Sequence, residues 1–99
     1  MVNPNADNQV ALYANLRTSI FNILQTSCIL PNVSTIAIPP ISANAGGIPM
    51  EYAAKVIINN IIRYCIFNEC NKLYQINIVC YTADEYKKFL KYLQDNYFN

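Results

Sequence analysis

Only two segments of this chain have the pattern of β-strands, and a helical segment lies between them. Residues 33–38 and 74–81 are rich in β-branched and aromatic residues, which favour strands. Pro39 and Pro40 stop the first strand, because proline cannot donate a hydrogen bond to a β-ladder. Two strands joined through a helix form a right-handed parallel βαβ unit. The sequence therefore predicts an α/β fold.

Three segments have helical periodicity. Apolar residues recur at three- and four-residue steps over residues 9–28, and Pro31 ends this first helix. A second helix begins with Pro49 in its first turn. A third follows Thr82, because Thr82 and Glu85 form a capping box in which the Thr82 hydroxyl accepts from the Glu85 amide and Glu85 accepts from the Thr82 amide.

The predicted order is helix, strand, helix, strand, helix, with residues 1–8 as a polar lead and residues 9–97 as one domain. The helical spacing places one apolar stripe of the first helix and one of the third toward the core, and it leaves Lys87, Lys88 and Lys91 outward. The residues of these two stripes are Val10, Tyr13, Leu16, Ile20, Ile23 and Leu24, then Tyr86, Phe89, Leu90 and Leu93. The residues expected deepest in the core are Ile38, Ile57, Ile61 and Ile78.

Low charge and open sheet edges predict protein partners. Charged residues make up 13% of the chain, against about 25% in globular proteins, and a two-stranded parallel sheet leaves both outer edges to be paired. The sequence therefore predicts that the chain is part of a homo- or hetero-oligomer. The net charge of +1, with scattered Lys and Arg, argues against nucleic acid. No apolar run is long enough to predict a transmembrane segment.

The chain contains no histidine, the usual general base near neutral pH and the commonest metal ligand. The four cysteines form no C-x-x-C pair, so the sequence predicts no metal site. It predicts buried thiols in a reducing, intracellular compartment. No secretory leader is expected. Two alternatives stay open. Cys70 beside Lys72 is a candidate reactive thiol, and the eight tyrosines are candidates for a surface that stacks on single strands.

Residues 35–49 carry a family resemblance. Their order is a short apolar strand, two prolines, a loop of small residues with both glycines of the chain, and a proline before a helix. This segment resembles the second half of a macro domain, the module that binds ADP-ribose, where a strand reading roughly S-I-A-F-P-A-I precedes the loop S-T-G-x-Y-G-F-P. The resemblance covers roughly residues 12–93. It implies half of a three-layer α/β/α sandwich.

The resemblance also implies a ligand site. Loop amides near the second helix would hold the diphosphate of ADP-ribose, and the aromatic residue after the second strand would lie near the adenine or the distal ribose. No other cofactor is implied. The residues at these positions are Ser42, Ala43, Asn44, Ala45, Gly46, Gly47 and Tyr81.

The departures from the family pattern fall at the ligand positions. Ala43 and Asn44 stand where the family has Thr-Gly, and Gly46 and Ile48 stand where it has aromatic rings. The acidic residue that recognises adenine and the first loop have no counterpart before Leu12. These gaps predict that the chain is not an enzyme. They favour a non-catalytic structural subunit whose sheet another chain completes, with a split ADP-ribose site as the alternative.

Overall fold

The described part of the chain folds as three helices and two strands in the predicted order. The computed structural model describes residues 6–41, 43, 47–67 and 75–98. Its elements are α1 (Ala6–Ile29), β1 (Thr35–Ile38), α2 (Met50–Phe67), β2 (Gln75–Ile78) and α3 (Ala83–Tyr97). This order confirms the predicted α/β class.

The two strands pair in parallel along their whole length. Thr35 lies opposite Gln75 and Ile38 lies opposite Ile78. The backbone N–H of Val79 then donates to the Ile38 carbonyl at 2.9 Å, one position past the ladder. Each strand has four residues, fewer than the sequence pattern predicts, because β-forming residues at the ends of both patterns find no ladder partner among the described residues.

The sheet has one covered and one open face within the described part of the chain. Isoleucines at alternate positions pack against the hydrophobic core: Ile36, Ile38, Ile76 and Ile78. The residues between them are exposed: Thr35, Ala37, Gln75 and Asn77. The period of two along a strand produces this division. The described helices therefore supply one of the two helical layers that the resemblance implies.

Helix α2 forms the centre of the core and packs against both α1 and α3. Ile57 and Ile61 are buried on its inner face and Ile38 is buried in β1, as predicted, whereas Ile78 is only partly buried. Val10 and Tyr86 contradict the predicted stripes, because they are 62% and 58% exposed. Val10 lies near the start of α1, and Tyr86 lies near the start of α3.

The cysteines differ from the prediction of four buried thiols. Cys28 is disulfide-bonded, and Cys65 is exposed in the last turn of α2. Cys80 is half-buried, and burial, followed by the negative charge of Glu85, raises the pKa of its thiol. Cys70, the candidate reactive thiol, lies outside the described residues. No helix in the described ranges combines the length and hydropathy that a membrane span requires.

Candidate functional site

The carboxyl ends of β1 and β2 lie side by side, because the strands are parallel and in register. Residues 39–49 leave β1 at this end, and residues 79–82 leave β2 there. We call these two segments the carboxyl edge. In open α/β sheets, ligands bind outside the carboxyl ends of the strands. The topology thus brings both predicted parts of the site to one place.

The two prolines after β1 accept backbone hydrogen bonds from residues that follow them. The N–H of Ile41 donates to the Pro39 carbonyl at 2.8 Å, and the N–H of Ala43 donates to the Pro40 carbonyl at 3.4 Å. The bond from Ala43 is long for an N–H···O contact.

The described end of the loop, at Gly47 and Ile48, packs against the core. Ala43 forms an isolated parallel bridge with Ile48, whose side chain is 1% exposed. Gly47 has φ of +95°, and a Cβ atom there would lie 3.2 Å from the Cδ1 atom of Leu12 in α1. A side chain at residue 48 therefore points into the core, where it cannot stack on a ribose.

Three of the predicted site residues are described, and all three lie on the carboxyl edge. Ala43 is half-buried, and Gly47 and Tyr81 are exposed. The other predicted residues, Ser42, Asn44, Ala45 and Gly46, lie outside the described residues.

Helix α2 begins directly after this loop and points its N-terminus at the carboxyl edge. The Pro49 carbonyl accepts from the N–H groups of Tyr52 and Ala53 at 3.0 and 2.9 Å, so Pro49 precedes the helix rather than standing in its first turn. The N-terminus of a helix carries a partial positive charge, which favours anions.

An ion-pair cluster lies at the first turn of α2. Lys88 Nζ is 3.0 Å from Glu51 Oε1 and 3.0 Å from Asp84 Oδ2. The hydrogen bond from Lys88 lowers the pKa of the Glu51 carboxyl, so Glu51 carries its charge beside a cation. Lys88 was predicted to face outward. The spacing of four from Asp84 was visible in the sequence, but the pairing with Glu51 depends on how α3 packs on α2.

Tyr81 is held by its backbone, while its ring remains exposed. Its N–H donates to Glu85 Oε1 at 2.7 Å, and the N–H of Glu85 donates to Thr82 Oγ1 at 3.1 Å. The Thr82 half of the predicted capping box is confirmed; the other half is wrong by one residue, because Glu85 accepts from Tyr81 rather than from Thr82. The ring is 75% exposed, so it is free to contact a ligand at the carboxyl edge.

Metal coordination finds no support in the described ranges. No three His, Cys, Asp or Glu side chains there lie close enough together to hold an ion.

Comparison with known proteins gives one informative relationship. No family model matches the chain. Over 61 residues, 62% of the chain, it is 36% identical to O-acetyl-ADP-ribose deacetylase 1 of Pantoea vagans (strain C9-1). The aligned segment is 34% of that protein, so the chain spans about a third of the curated relative's length. This similarity supports a macro-like, ADP-ribose-related relationship.

The comparison corrects the prediction about catalysis. The sequence departures led us to expect that the chain is not an enzyme, but the relative is named as a deacetylase. The inference failed because it treated the missing first half of the family pattern, before Leu12, as a loss of chemistry. A partial match to a family pattern is not sufficient to exclude catalysis.

Proposed function

We propose that the chain is an ADP-ribose-binding, macro-like module of an enzyme that acts on ADP-ribose derivatives. In this proposal the carboxyl edge holds the ligand: backbone N–H groups of the loop and the N-terminus of α2 hold the diphosphate, and the Tyr81 ring lies beside the nucleoside. The observation that carries the proposal is the convergence of the loop, the N-terminus of α2 and Tyr81 on one edge of a parallel sheet.

The local electrostatics are compatible with a diphosphate. Glu51 is an acidic side chain in the first turn of α2 and would repel an anion there if it were unpaired. Lys88 lies 3.0 Å from it and compensates its charge. The partial positive charge of the helix N-terminus is then the main field acting on a ligand at the loop.

The similarity to a deacetylase suggests the substrate class. The relative's name gives its substrate as O-acetyl-ADP-ribose, which combines the diphosphate with an acyl ester. We propose that this chain binds the same class of compound and takes part in its deacylation.

The open sheet edges suggest that further strands complete the site. Among the described residues, β1 and β2 pair only with each other, so each has one edge with unpaired backbone groups. Such edges recruit strands. We propose that strands from another polypeptide, or from another copy of this chain, pair with them and supply the remainder of the ligand site.

Calorimetry tests ligand binding at the carboxyl edge. ADP-ribose is titrated into the chain, alone and after co-purification with its cellular partners, and adenosine serves as the ligand without a diphosphate. We expect saturable heat with ADP-ribose and a much weaker response with adenosine. Tyr81→Leu should weaken binding, whereas Phe98→Leu should not, because Phe98 is a similarly exposed aromatic residue at the far end of α3. Absence of heat at millimolar ADP-ribose in both preparations would refute the proposal.

Two further measurements test the other parts of the proposal. The first measurement is the release of acetate from O-acetyl-ADP-ribose by the co-purified material, which reports on catalysis. Acetate release by the Gly47→Val variant of the chain is compared with it and reports on the role of the loop. The native mass of the gently extracted chain reports on sheet completion. A monomer that unfolds cooperatively and has a well-dispersed NMR spectrum would exclude completion by another chain.

A further inference from the structure

A groove runs along the outer surface of α1 and α2, on a part of the molecule that the carboxyl edge does not include. It consists of two adjoining cavities of about 560 and 520 Å³, which share Arg17, Lys55 and Val56 as lining residues. The first cavity extends toward Arg63 and Tyr97, and the second extends toward Tyr13 and Tyr52. We call the two together the cationic groove.

The cationic groove concentrates positive charge. Arg17, Lys55 and Arg63 line it, and no acidic side chain of the described residues does. None of the three cations forms a salt bridge within the described ranges, whereas Lys88 and Lys91 both do. The rest of the chain has four Lys or Arg and six Asp or Glu, a net charge of −2. The cationic groove therefore carries a charge of +3, although the net charge of the chain is only +1.

Aromatic rings lie at both ends of the groove. The rings of Tyr13 and Tyr52 are 6.2 Å apart and tilted by 59°, and Tyr52 is 53% exposed. At the other end Tyr97 is 40% exposed, and its hydroxyl donates to Asn59 Oδ1. Exposed tyrosines beside unpaired cations offer both stacking faces and phosphate contacts.

We propose that the cationic groove binds single-stranded nucleic acid. Phosphates would contact Arg17, Lys55 and Arg63, and a base would stack on Tyr52, the combination that single-strand-binding proteins use. From Tyr52 to Arg63, α2 rises about 16 Å at roughly 1.5 Å per residue, which is room for a few nucleotides. An acidic polypeptide would use the cations but would leave the rings without a stacking partner.

This inference departs from the expectation that nucleic acid is not a partner. That expectation depended on Lys and Arg being scattered along the sequence, and the fold gathers three of them. Residues 55 and 63 are two turns apart on α2, and Arg17 joins them only because α1 packs against α2.

Fluorescence anisotropy with labelled ten-nucleotide oligo(U) and oligo(dT) tests the proposal on the full chain. Three phosphate contacts predict a slope of about −2 for log K against log[salt], so affinity should fall about 20-fold between roughly 50 and 200 mM salt. The double variant Arg17→Gln, Lys55→Gln should reduce the slope to about −0.7. The variant Lys87→Gln, Lys91→Gln has the same net charge, but its changes lie outside the groove on α3, and it should bind like the wild type.

A Tyr52→Leu variant tests the stacking contact. Loss of one stacked base should weaken binding at least about fivefold with the salt slope unchanged. The proposal is overturned if no saturable binding occurs at low salt, if both double variants lose affinity equally, or if oligoglutamate competes as well as the oligonucleotide and Tyr52→Leu has no effect. The last outcome would assign the groove to an acidic polypeptide. Each variant's circular dichroism spectrum verifies that it folds.

Discussion

Replacement of Gly47 by alanine tests whether the loop's conformation supports both the fold and the ligand site. Gly47 has φ of +95°, where an L-residue is strained by roughly 1–3 kcal/mol. Alanine also restricts the unfolded chain, which offsets about 0.4–1 kcal/mol of this strain. The contact of the new Cβ with Leu12 Cδ1 at 3.2 Å adds little, because the end of a leucine side chain moves easily.

The expected net loss from Gly47→Ala is roughly 1–2 kcal/mol of unfolding free energy, measured by urea denaturation with an unchanged m-value. For a domain of this size, it corresponds to a fall in melting temperature of about 4–16 °C. ADP-ribose affinity should fall too, because the loop must shift to relieve the strain.

A second variant separates the dihedral strain from the contact with α1. In the Leu12→Ala background the contact is removed, so Gly47→Ala should cost nearly as much as it does in the wild type, with a coupling energy below about 0.5 kcal/mol. Gly47→Asn should cost less than Gly47→Ala, because asparagine tolerates positive φ better. The reasoning is refuted if Gly47→Ala is neutral or stabilising, or if the loss disappears in the Leu12→Ala background.

The remaining predictions concern the core and the ion-pair cluster. Ile57→Ala should cost about 2–5 kcal/mol in urea unfolding, because Ile57 is fully buried; the same change at Ile66, which is 68% exposed on the same helix, should stay within about 0.5 kcal/mol, and equal losses would contradict the assigned helix face. The lowered pKa of the Glu51 carboxyl and the raised pKa of the Lys88 ammonium, each mainly from their mutual hydrogen bond, predict that this pair's stabilisation is full at neutral pH. It should be lost as pH falls through the lowered Glu51 pKa, below the ordinary 4.5, and as pH rises through the raised Lys88 pKa, above 10.5. When the unfolding midpoint is measured as a function of pH, it should therefore fall less toward acid pH in Glu51→Gln than in the wild type. Identical pH profiles of the two proteins would show that the ion pair contributes nothing to stability.

Local patterns in the sequence predicted most of the secondary structure. The spacing of apolar residues in α2, the prolines that bound the first loop and the Thr82 cap act over a few residues, so the sequence shows them directly. The predicted ends of the helices and strands were less accurate. Both strands are shorter than their β-rich runs, because a strand needs a partner at each position and the ladder ends where the partner does.

Side-chain exposure could be predicted only where neighbouring elements cover the whole helix. Val10 and Tyr86 follow the same spacing as their buried neighbours, yet both are exposed, and both lie near the start of their helices. The prediction of a buried thiol also failed at Cys65, which is exposed in the last turn of α2.

The sequence by itself determined the α/β order and the loop that resembles an ADP-ribose site, since both depend on short-range backbone preferences. Only the tertiary structure paired Lys88 with Glu51 and gathered Arg17, Lys55 and Arg63 in one groove. These arrangements join residues that are distant in the chain. Which of them become neighbours depends on the packing of α2 against α1 and α3, and no local pattern specifies that packing.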